Sequence, residues 1–348
     1  MVSFLTRKLL YGLLVLAGVV VVVFFLFQGF GDPARLVLGQ SGDSATISNI
    51  RRELALDQPR WKQFVLYLND VSPVSVHTKE EIGRKQLKGW FIGGDTRVGI
   101  KLPYLRRSYQ TKRNVGDVLM EALPGTMILA LAAMLLATVL GILLGVLAAV
   151  KKGTWMDTGS LFASVLGISA PSFFMGIVLA YLFGFVWSHY TGLQMTGGLF
   201  TTDPFNGREL QVKNLVLPAI TLGIRPLAII TQLTRSAMLD TLGQDYIRTA
   251  YAKGLSRKTV VFRHALRNAL NPVVTAITGW FAELLAGAFF VEYIFGWKGI
   301  GKITVDALEK LDFPVVMGSV LVTAAFFIIV NILADLLYGV IDPRVRVG

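Results

Sequence analysis

Six apolar stretches, each long enough to cross a bilayer, alternate with polar segments along the chain. A membrane-spanning helix needs about 20 predominantly apolar residues. The pattern therefore predicts an all-α integral membrane protein with six transmembrane helices, near residues 9–27, 123–150, 161–187, 215–233, 270–291 and 315–340. By this division, residues 1–30 contain the first helix and 31–115 form a large extracytoplasmic insertion. Residues 116–343 hold a core of five helices and a cytoplasmic loop, 236–269.

Three local features refine these spans. The first apolar run follows Arg7 and Lys8 and is long for a signal peptide, so we expect an uncleaved helix, with a cleaved signal as the alternative. Gly141 and Gly145 lie four residues apart in the second span, a spacing that lets another helix approach closely. Pro171 lies inside the third span and predicts a kink that faces protein or a water-filled path.

Composition agrees with a membrane protein. Hydrophobic residues make up 53% of the 348 and charged residues only 16%, and the mean hydropathy is +0.59. The net charge of +12 comes from basic residues in loops beside the apolar spans, which fits attraction to anionic lipid better than to nucleic acid. The absence of cysteine excludes disulfides and thiol chemistry, and three scattered histidines do not predict a metal centre.

The basic residues also predict an orientation. Short cytoplasmic loops carry an excess of Lys and Arg, and this excess lies at both termini, after the second span and in the loop before the fifth. We therefore predict both termini in the cytoplasm of a multi-pass protein of the bacterial cytoplasmic membrane. Residues 31–113 are predicted outside although they carry 15 Lys or Arg against 8 Asp or Glu, because long loops translocate largely regardless of charge.

The longest polar interruption within the core, residues 245–272, predicts two helices separated by a glycine. Tyr246, Ile247, Ala250 and Tyr251 recur at helical spacing and form one narrow apolar face. Gly254 lies where a left-handed residue would end the first helix, and Ser256 lies where it would cap the second. Arg257 and Lys258 crowd the positive end of that second helix, which favours an anionic partner such as lipid phosphate or an acidic protein surface.

This stretch resembles the "EAA" cytoplasmic loop of bacterial ABC importer permeases. That motif reads E-A-A, three residues, G, nine residues, then I-x-L-P. Here Arg248-Thr249-Ala250 lie at E-A-A and Gly254 at the glycine, whereas His264, Leu266 and Arg267 lie at I, L and P. Several generic motif residues are therefore missing. The run RTA…AKGLS…HALRNAL…P nevertheless resembles the di- and oligopeptide branch of the family, as does Ala55-Leu56-Asp57-Gln58-Pro59 after the first span.

The resemblance implies a type I importer permease fold and a multisubunit transporter. Its implied partners are a second homologous permease, two cytoplasmic ATPase subunits, an extracytoplasmic substrate-binding protein and membrane lipid. ATP and magnesium would bind the ATPase subunits, and this chain would bind no cofactor. The ATPase-coupling residues carried over by the motif are Asp245, Tyr246, Ile247, Arg248, Thr249, Ala250, Gly254, Leu255 and Ser256.

Residues 296–302, GWKGIGK, have the glycine and lysine spacing of a phosphate-binding loop. Ile303 stands where that loop requires Ser or Thr to hold magnesium, and no strand precedes the run. The predicted topology also places it outside, away from ATP. We therefore interpret it as a turn between the last two spans, similar to one in peptide permeases.

Ionisable residues inside the spans are the candidates for the translocation pathway. Charge at the bilayer centre costs at least about 2.5 kcal/mol, so it normally faces a partner or water. Arg225 and Glu283 lie near the middle of the fourth and fifth spans, and with Pro171 they are our pathway candidates. A buried ion pair between Arg225 and Glu283 and a subunit contact are the alternatives.

Two other function classes remain open from the residues alone. A proton-coupled secondary transporter would use Glu283 as its titrating group and would need no docking loop. An intramembrane enzyme has no paired carboxylates, nucleophile or metal motif in its favour. Within the permease family, dipeptide, oligopeptide, nickel and glutathione transporters share these sequence patterns.

Overall fold

A computed structural model describes residues 2–28, 51, 56–203 and 207–341. Its principal helices, in chain order, are α1 (Val2–Gln28), α2 (Arg60–Val71), α3 (Lys79–Lys85), α4 (Val115–Val150), α5 (Trp155–Ser169), α6 (Ser172–Tyr181), α7 (Ser188–Thr191), α8 (Lys213–Leu242), α9 (Asp245–Ala252), α10 (Arg257–Thr259), α11 (Leu266–Gly287), α12 (Phe289–Ile294), α13 (Ile300–Glu309) and α14 (Phe313–Ile341). Two π-helical turns, Leu182–Val186 and Val260–Ala265, continue α6 and α10. The strands are β1 (Val74–Thr78), β2 (Gly89–Gly93), β3 (Thr96–Lys101), β4 (Phe200–Asp203) and β5 (Gly207–Leu210).

Among the described residues, four helices are long and apolar enough to cross a membrane: α1, α4, α8 and α14. The bent pair α5 and α6 raises the number to five if it forms one broken span. Helix α11 corresponds to the predicted fifth span, but its polar residues keep it out of this apolar set. The structure therefore confirms several membrane-type helices. A total of six spans, including the one expected over 270–291, remains a prediction.

Pro171 breaks the third predicted span rather than kinking it. Helices α5 and α6 meet at 110° across Ala170 and Pro171. Ala170 has an extended ψ of 130°, because the ring of a following proline disfavours the helical conformation of the residue before it. The expected single helix over 161–187 is therefore two helices, which form either a broken span or a re-entrant loop.

The prediction of an all-α protein was wrong in two polar segments, one after the first span and one before the fourth. Strands β1, β3 and β2 form an antiparallel sheet in that order, and β4 and β5 form a hairpin. In β1 the exposed and buried residues alternate strictly, which is the period of a strand with two different faces. Residues 73–90 thus contain β1, α3 and the start of β2, and the described chain is mostly helical with a small sheet and a hairpin.

A cluster of buried charges lies beside this sheet. The Asp70 carboxylate accepts from the Lys85 ammonium at 2.5 Å, and the Arg106 guanidinium lies 3.6 Å away. The Lys101 ammonium donates to the backbone oxygens of Asp70 and Ser72, and burial lowers the pKa of Lys101 to about 8. Several basic residues of this segment are therefore internal partners of one acidic residue, Asp70.

The described chain divides into two compact units. One comprises Met1–Lys8, Pro124–Lys302 and Phe326–Gly348, and the other Leu9–Leu123 and Ile303–Ala325. In the second unit, Val20, Phe24, Tyr67 and Leu321 form a buried cluster. In the first, the predicted small-residue stripe of α4 packs on α8: a Cβ added to Gly141 would lie 2.8 Å from Ile230 Cγ2, and one on Gly145 2.5 Å from Thr234 Cβ.

Within the first unit, hydrogen bonds join segments near both ends of α4 that are distant in sequence. At one end, Gly197 N donates to Phe295 O at 2.9 Å, and Trp297 Nε1 donates to Gly125 O at 2.8 Å. At the other end, Arg257 donates to Val150 O at 3.1 Å. The loop 188–214 thus contacts the turn after α12, and the coupling loop contacts the end of α4. Which of these ends faces the cytoplasm remains a prediction.

Candidate functional site

The predicted coupling loop folds as a helix, a glycine break and a second helix. Helix α9 begins after Gln244, and Asp245 in its first turn suits the positive end of the helix. Gly254 has a φ of +78°, and the chain re-enters a helix at Arg257. This order of elements was predicted from the sequence and is confirmed.

The break at Gly254 is a Schellman motif. Gly254 N donates to Tyr251 O at 2.9 Å, and Leu255 N donates to Ala250 O at 3.3 Å. These two bonds satisfy carbonyl groups that the end of a helix leaves unpaired, and they require the left-handed residue between them. The predicted cap of the next helix is present as well, because Ser256 Oγ accepts from Thr259 N at 3.4 Å. The turn between the two helices is thus fixed by local hydrogen bonds.

The apolar residues of α9 divide into a buried and an exposed set. Ile247 and Ala250 are buried, and they pack in one cluster with Val146 of α4, Met238 of α8 and Val260. Tyr246, Tyr251 and Leu255 are between 37% and 44% exposed. The sequence predicted one apolar face, whereas α9 has one face anchored to the helical core and a second apolar surface that is open.

Arg257 has an internal partner. Its Nη2 donates to Val150 O, the carbonyl at the negative end of α4, where a cation is favourable. The expected need of this residue for an external anion is therefore removed.

One polar contact joins α9 of the coupling loop to α11, and another joins α8 to α5. Asn268 Nδ2 of α11 donates to the Tyr246 hydroxyl of α9 at 2.8 Å. Arg235 Nη2 of α8 donates to Asp157 Oδ2 of α5 at 2.8 Å, and Asp157 also accepts from Gly153 N. A displacement of α9 would therefore reach α11 through a direct hydrogen bond as well as through the packed cluster. The sequence pattern did not single out Asn268 or Asp157.

The pathway candidates lie apart from the coupling loop. Arg225 and Glu283 are both exposed, and the Arg225 guanidinium carbon lies 5.7 Å from the centre of the Trp280 ring. In the described part of the chain no ion pair joins Arg225 to Glu283, so their mutual neutralisation does not occur in this structure. Pro171 is exposed at the start of α6.

The glycine-rich run 296–302, which resembles a phosphate-binding loop, binds a side chain of the protein itself. Glu292 of α12 is fully buried, and its Oε2 accepts from Gly301 N at 2.7 Å and Lys302 N at 3.2 Å. These amides belong to the first turn of α13, where a phosphate would otherwise bind. A Cβ on Gly299 would lie 2.3 Å from the same carboxylate oxygen. The glycines make room for Glu292, a residue that the sequence reasoning missed.

Two family models match the chain. The model for the inner membrane component of binding-protein-dependent transport systems matches residues 141–347, and a model for the N-terminal part of such membrane components matches residues 1–130. Together these matches cover the chain except residues 131–140, which lie within α4, and residue 348.

Curated relatives match over almost the full length. The dipeptide transport system permease protein DppB of Escherichia coli K12 is 36% identical, and so is the di/tripeptide permease DppB of Pseudomonas aeruginosa UCBPP-PA14. The glutathione transport system permease GsiC of Escherichia coli O6:H1 is 33% identical. In all three comparisons, 99% of this chain and 99% of the relative are covered.

Among solved structures, an inward-facing MetNI methionine ABC transporter matches with a TM-score of 0.50 at 18% identity, over 65% of this chain and 96% of that chain. At this identity the match concerns the fold, which is that of a type I ABC importer permease. The full-length relatives and the family model agree with it. The chain therefore belongs to the inner membrane components of binding-protein-dependent transport systems, and it is the membrane subunit of an ABC importer rather than an enzyme.

Proposed function

We propose that this chain is one of two transmembrane subunits of an ATP-driven importer of di- or oligopeptides in the bacterial cytoplasmic membrane. The peptide substrate is inferred from the names of the dipeptide and di/tripeptide permeases that are 36% identical over 99% of their lengths. The glutathione permease at 33% identity is compatible with this class, since glutathione is itself a small peptide.

The coupling role that we propose rests on the division of α9 into a buried and an exposed face. Ile247 and Ala250 fix the helix to α4 and α8, while Tyr246, Tyr251 and Leu255 remain exposed. Exposed aromatic and apolar side chains beside an anchored helix suit a protein interface. We infer that an ATPase subunit docks there. Of the residues carried over by the motif, Asp245–Ala250 and Gly254–Ser256, the exposed ones form the contact, while Ile247 and Ala250 hold α9 against the core.

The mechanism we propose assigns ATP and magnesium to two partner ATPase subunits and none to this chain. Closure of the ATPase pair moves residues 240–256, and the packed cluster passes that motion to the spans. The cavity between this chain and a second, homologous permease then opens outward and receives peptide from a binding protein. Hydrolysis returns it to the inward-facing state.

Uptake by the reconstituted importer tests this function. The complete complex, with its binding protein in excess, should accumulate a labelled dipeptide in proteoliposomes only when ATP is present on the ATPase side. A proton gradient without ATP should give no accumulation. Uptake driven by the gradient alone would favour the proton-coupled alternative and contradict the proposal.

Topology can be tested because the chain lacks cysteine. In intact cells, Lys258→Cys should react only with membrane-permeant thiol reagents, whereas Tyr190→Cys should also react with impermeant ones. Tyr190 is 85% exposed and lies in the loop after the bent pair. The opposite labelling pattern would reverse the orientation and remove the coupling loop from the cytoplasm.

A further inference from the structure

The exposed positions of α11 recur every four residues along its length and are largely polar. They include Asn271, Thr275, Gly279 and Glu283, which we call the α11 stripe. Residues four apart lie on one face of a helix. Between them, Val273 and Ala282 are buried in the core of the first unit. The helix therefore presents an apolar side to its own chain and a polar side away from it.

The other long helices show the opposite pattern. The exposed positions of α4 include Leu131, Leu135, Val139 and Leu143, which are 48–67% exposed. Such a surface suits lipid. A surface with an amide, a hydroxyl and a carboxylate does not, because polar groups within a bilayer normally face protein or water. The α11 stripe must therefore be shielded from lipid in the assembled transporter.

Two opposite charges lie on this side of the molecule without neutralising each other. Arg225 of α8 lies over the ring of Trp280, and Trp280 is one helical turn from Glu283 on α11. No ion pair of the described residues joins the two charges, and both are exposed. A ligand that carries one charge of each sign complements this arrangement.

We propose that the α11 stripe and Arg225 form the surface over which the peptide passes, with Glu283 facing the ammonium end and Arg225 the carboxylate end. This inference rests on the proposed peptide import. Asn271 and Thr275 offer hydrogen-bonding groups one turn apart, which can bind the peptide backbone. Such contacts do not select among peptides by their side chains. Because every group of the site is exposed, each contact is weak, as transport requires if the substrate is to leave again.

Thiol labelling of a single introduced cysteine tests the surface directly. Thr275→Cys is placed in the complete importer, with cysteine-free partners, in lipid nanodiscs that expose both sides. A charged, membrane-impermeant methanethiosulfonate should modify it, and a saturating dipeptide with free termini should slow the modification about tenfold. Leu135→Cys, on the lipid-suited face of α4, should stay unmodified. Asn271→Cys, one turn away, provides the same measurement if Thr275→Cys fails to assemble.

The charge assignment has its own measurement. Glu283→Gln in the Thr275→Cys background should abolish most of the protection by the dipeptide, while Glu309→Gln, an exposed carboxylate on α13, should leave it unchanged. N-acetylated dipeptide, which lacks the ammonium group, should protect Thr275→Cys poorly even when Glu283 is unsubstituted. Equal protection in all these experiments would overturn the assignment of Glu283.

The remaining outcomes separate this inference from the proposed function. If Thr275→Cys and Asn271→Cys resist the charged reagent, a partner subunit or lipid covers the stripe and the inference is wrong. If they react but no peptide protects them, the surface is wet but is not a peptide site, and the inference is again wrong. ATP-driven dipeptide uptake is measured separately, with the unsubstituted importer in proteoliposomes, so failure of uptake there counts against the proposed function instead.

Discussion

Gly254→Val should reduce ATP-driven uptake at least tenfold while leaving membrane insertion intact. Gly254 holds a φ of +78°, and a Cβ there would meet nothing within 4 Å. The cost therefore comes from the backbone alone, about 1–2 kcal/mol for a side chain in the left-handed region. Relief of this strain would break the Schellman bonds and re-aim α10 relative to α9. The docking surface formed by Tyr251 and Leu255 would then change shape.

Gly153→Val provides a matched control. Gly153 has a φ of +75°, and a Cβ there also meets no atom within 4 Å. It lies in the turn between α4 and α5, outside the coupling loop. Both variants carry the same kind of backbone strain, so only Gly254→Val should lose co-purification with the ATPase subunits and uptake. Equal losses in the two variants, or normal uptake by Gly254→Val, would contradict the coupling role.

The coupling loop could be predicted because its determinants are local. A glycine that ends a helix and a serine that begins the next depend on hydrogen bonds that span three to five residues. Both signals are readable without knowledge of the tertiary structure. The depth to which Ile247 is buried depends on α4 and α8, which are distant in sequence, so the separation of Ile247 from Tyr246 and Tyr251 could not be predicted from the helical period alone.

Long-range relationships explain the incorrect predictions. The alternation in Val74–Thr78 is only five residues long, and its strand exists because β3, about 20 residues later, pairs with it. Arg225 and Glu283 both lie near the middle of their predicted spans. A similar position along two helices does not determine whether the two side chains form an ion pair. Pro171 reveals a disturbance of the helix, whereas the 110° angle depends on what α5 and α6 pack against.

Glu292 shows how a local motif acquires its meaning from a residue elsewhere. The spacing of Gly299 and Gly301 suggested a loop that receives an anion at a helix start, and that geometry is correct. The anion is a carboxylate from the preceding helix, seven and nine residues earlier in the chain. An acidic residue at this distance before a glycine-rich helix start is a signal that a search for phosphate-binding motifs does not include.

The same geometry predicts that Glu292→Ala destabilises the protein by about 4 kcal/mol. The substitution leaves the amides of Gly301 and Lys302 without their acceptor, and each buried donor left unpaired costs about 1–3 kcal/mol. Burial raises the pKa of Glu292 to about 7, so near neutral pH the substitution also removes a partial negative charge that favours the first turn of α13. Thermal unfolding of the purified complex should show a lower midpoint, with Glu292→Gln intermediate because its amide oxygen still accepts a hydrogen bond.

Glu309→Ala should leave the midpoint nearly unchanged, since this carboxylate lies at the solvent-exposed end of the same helix and not buried at its first turn. A second comparison separates the effect of the lost hydrogen bonds to Glu292 from the effect of the lost side-chain volume. Glu292→Leu fills the space but accepts no hydrogen bond, so it should be nearly as unstable as Glu292→Ala. If leucine restored the midpoint, packing rather than the carboxylate would hold the turn, and the glycines at 299 and 301 would need another explanation.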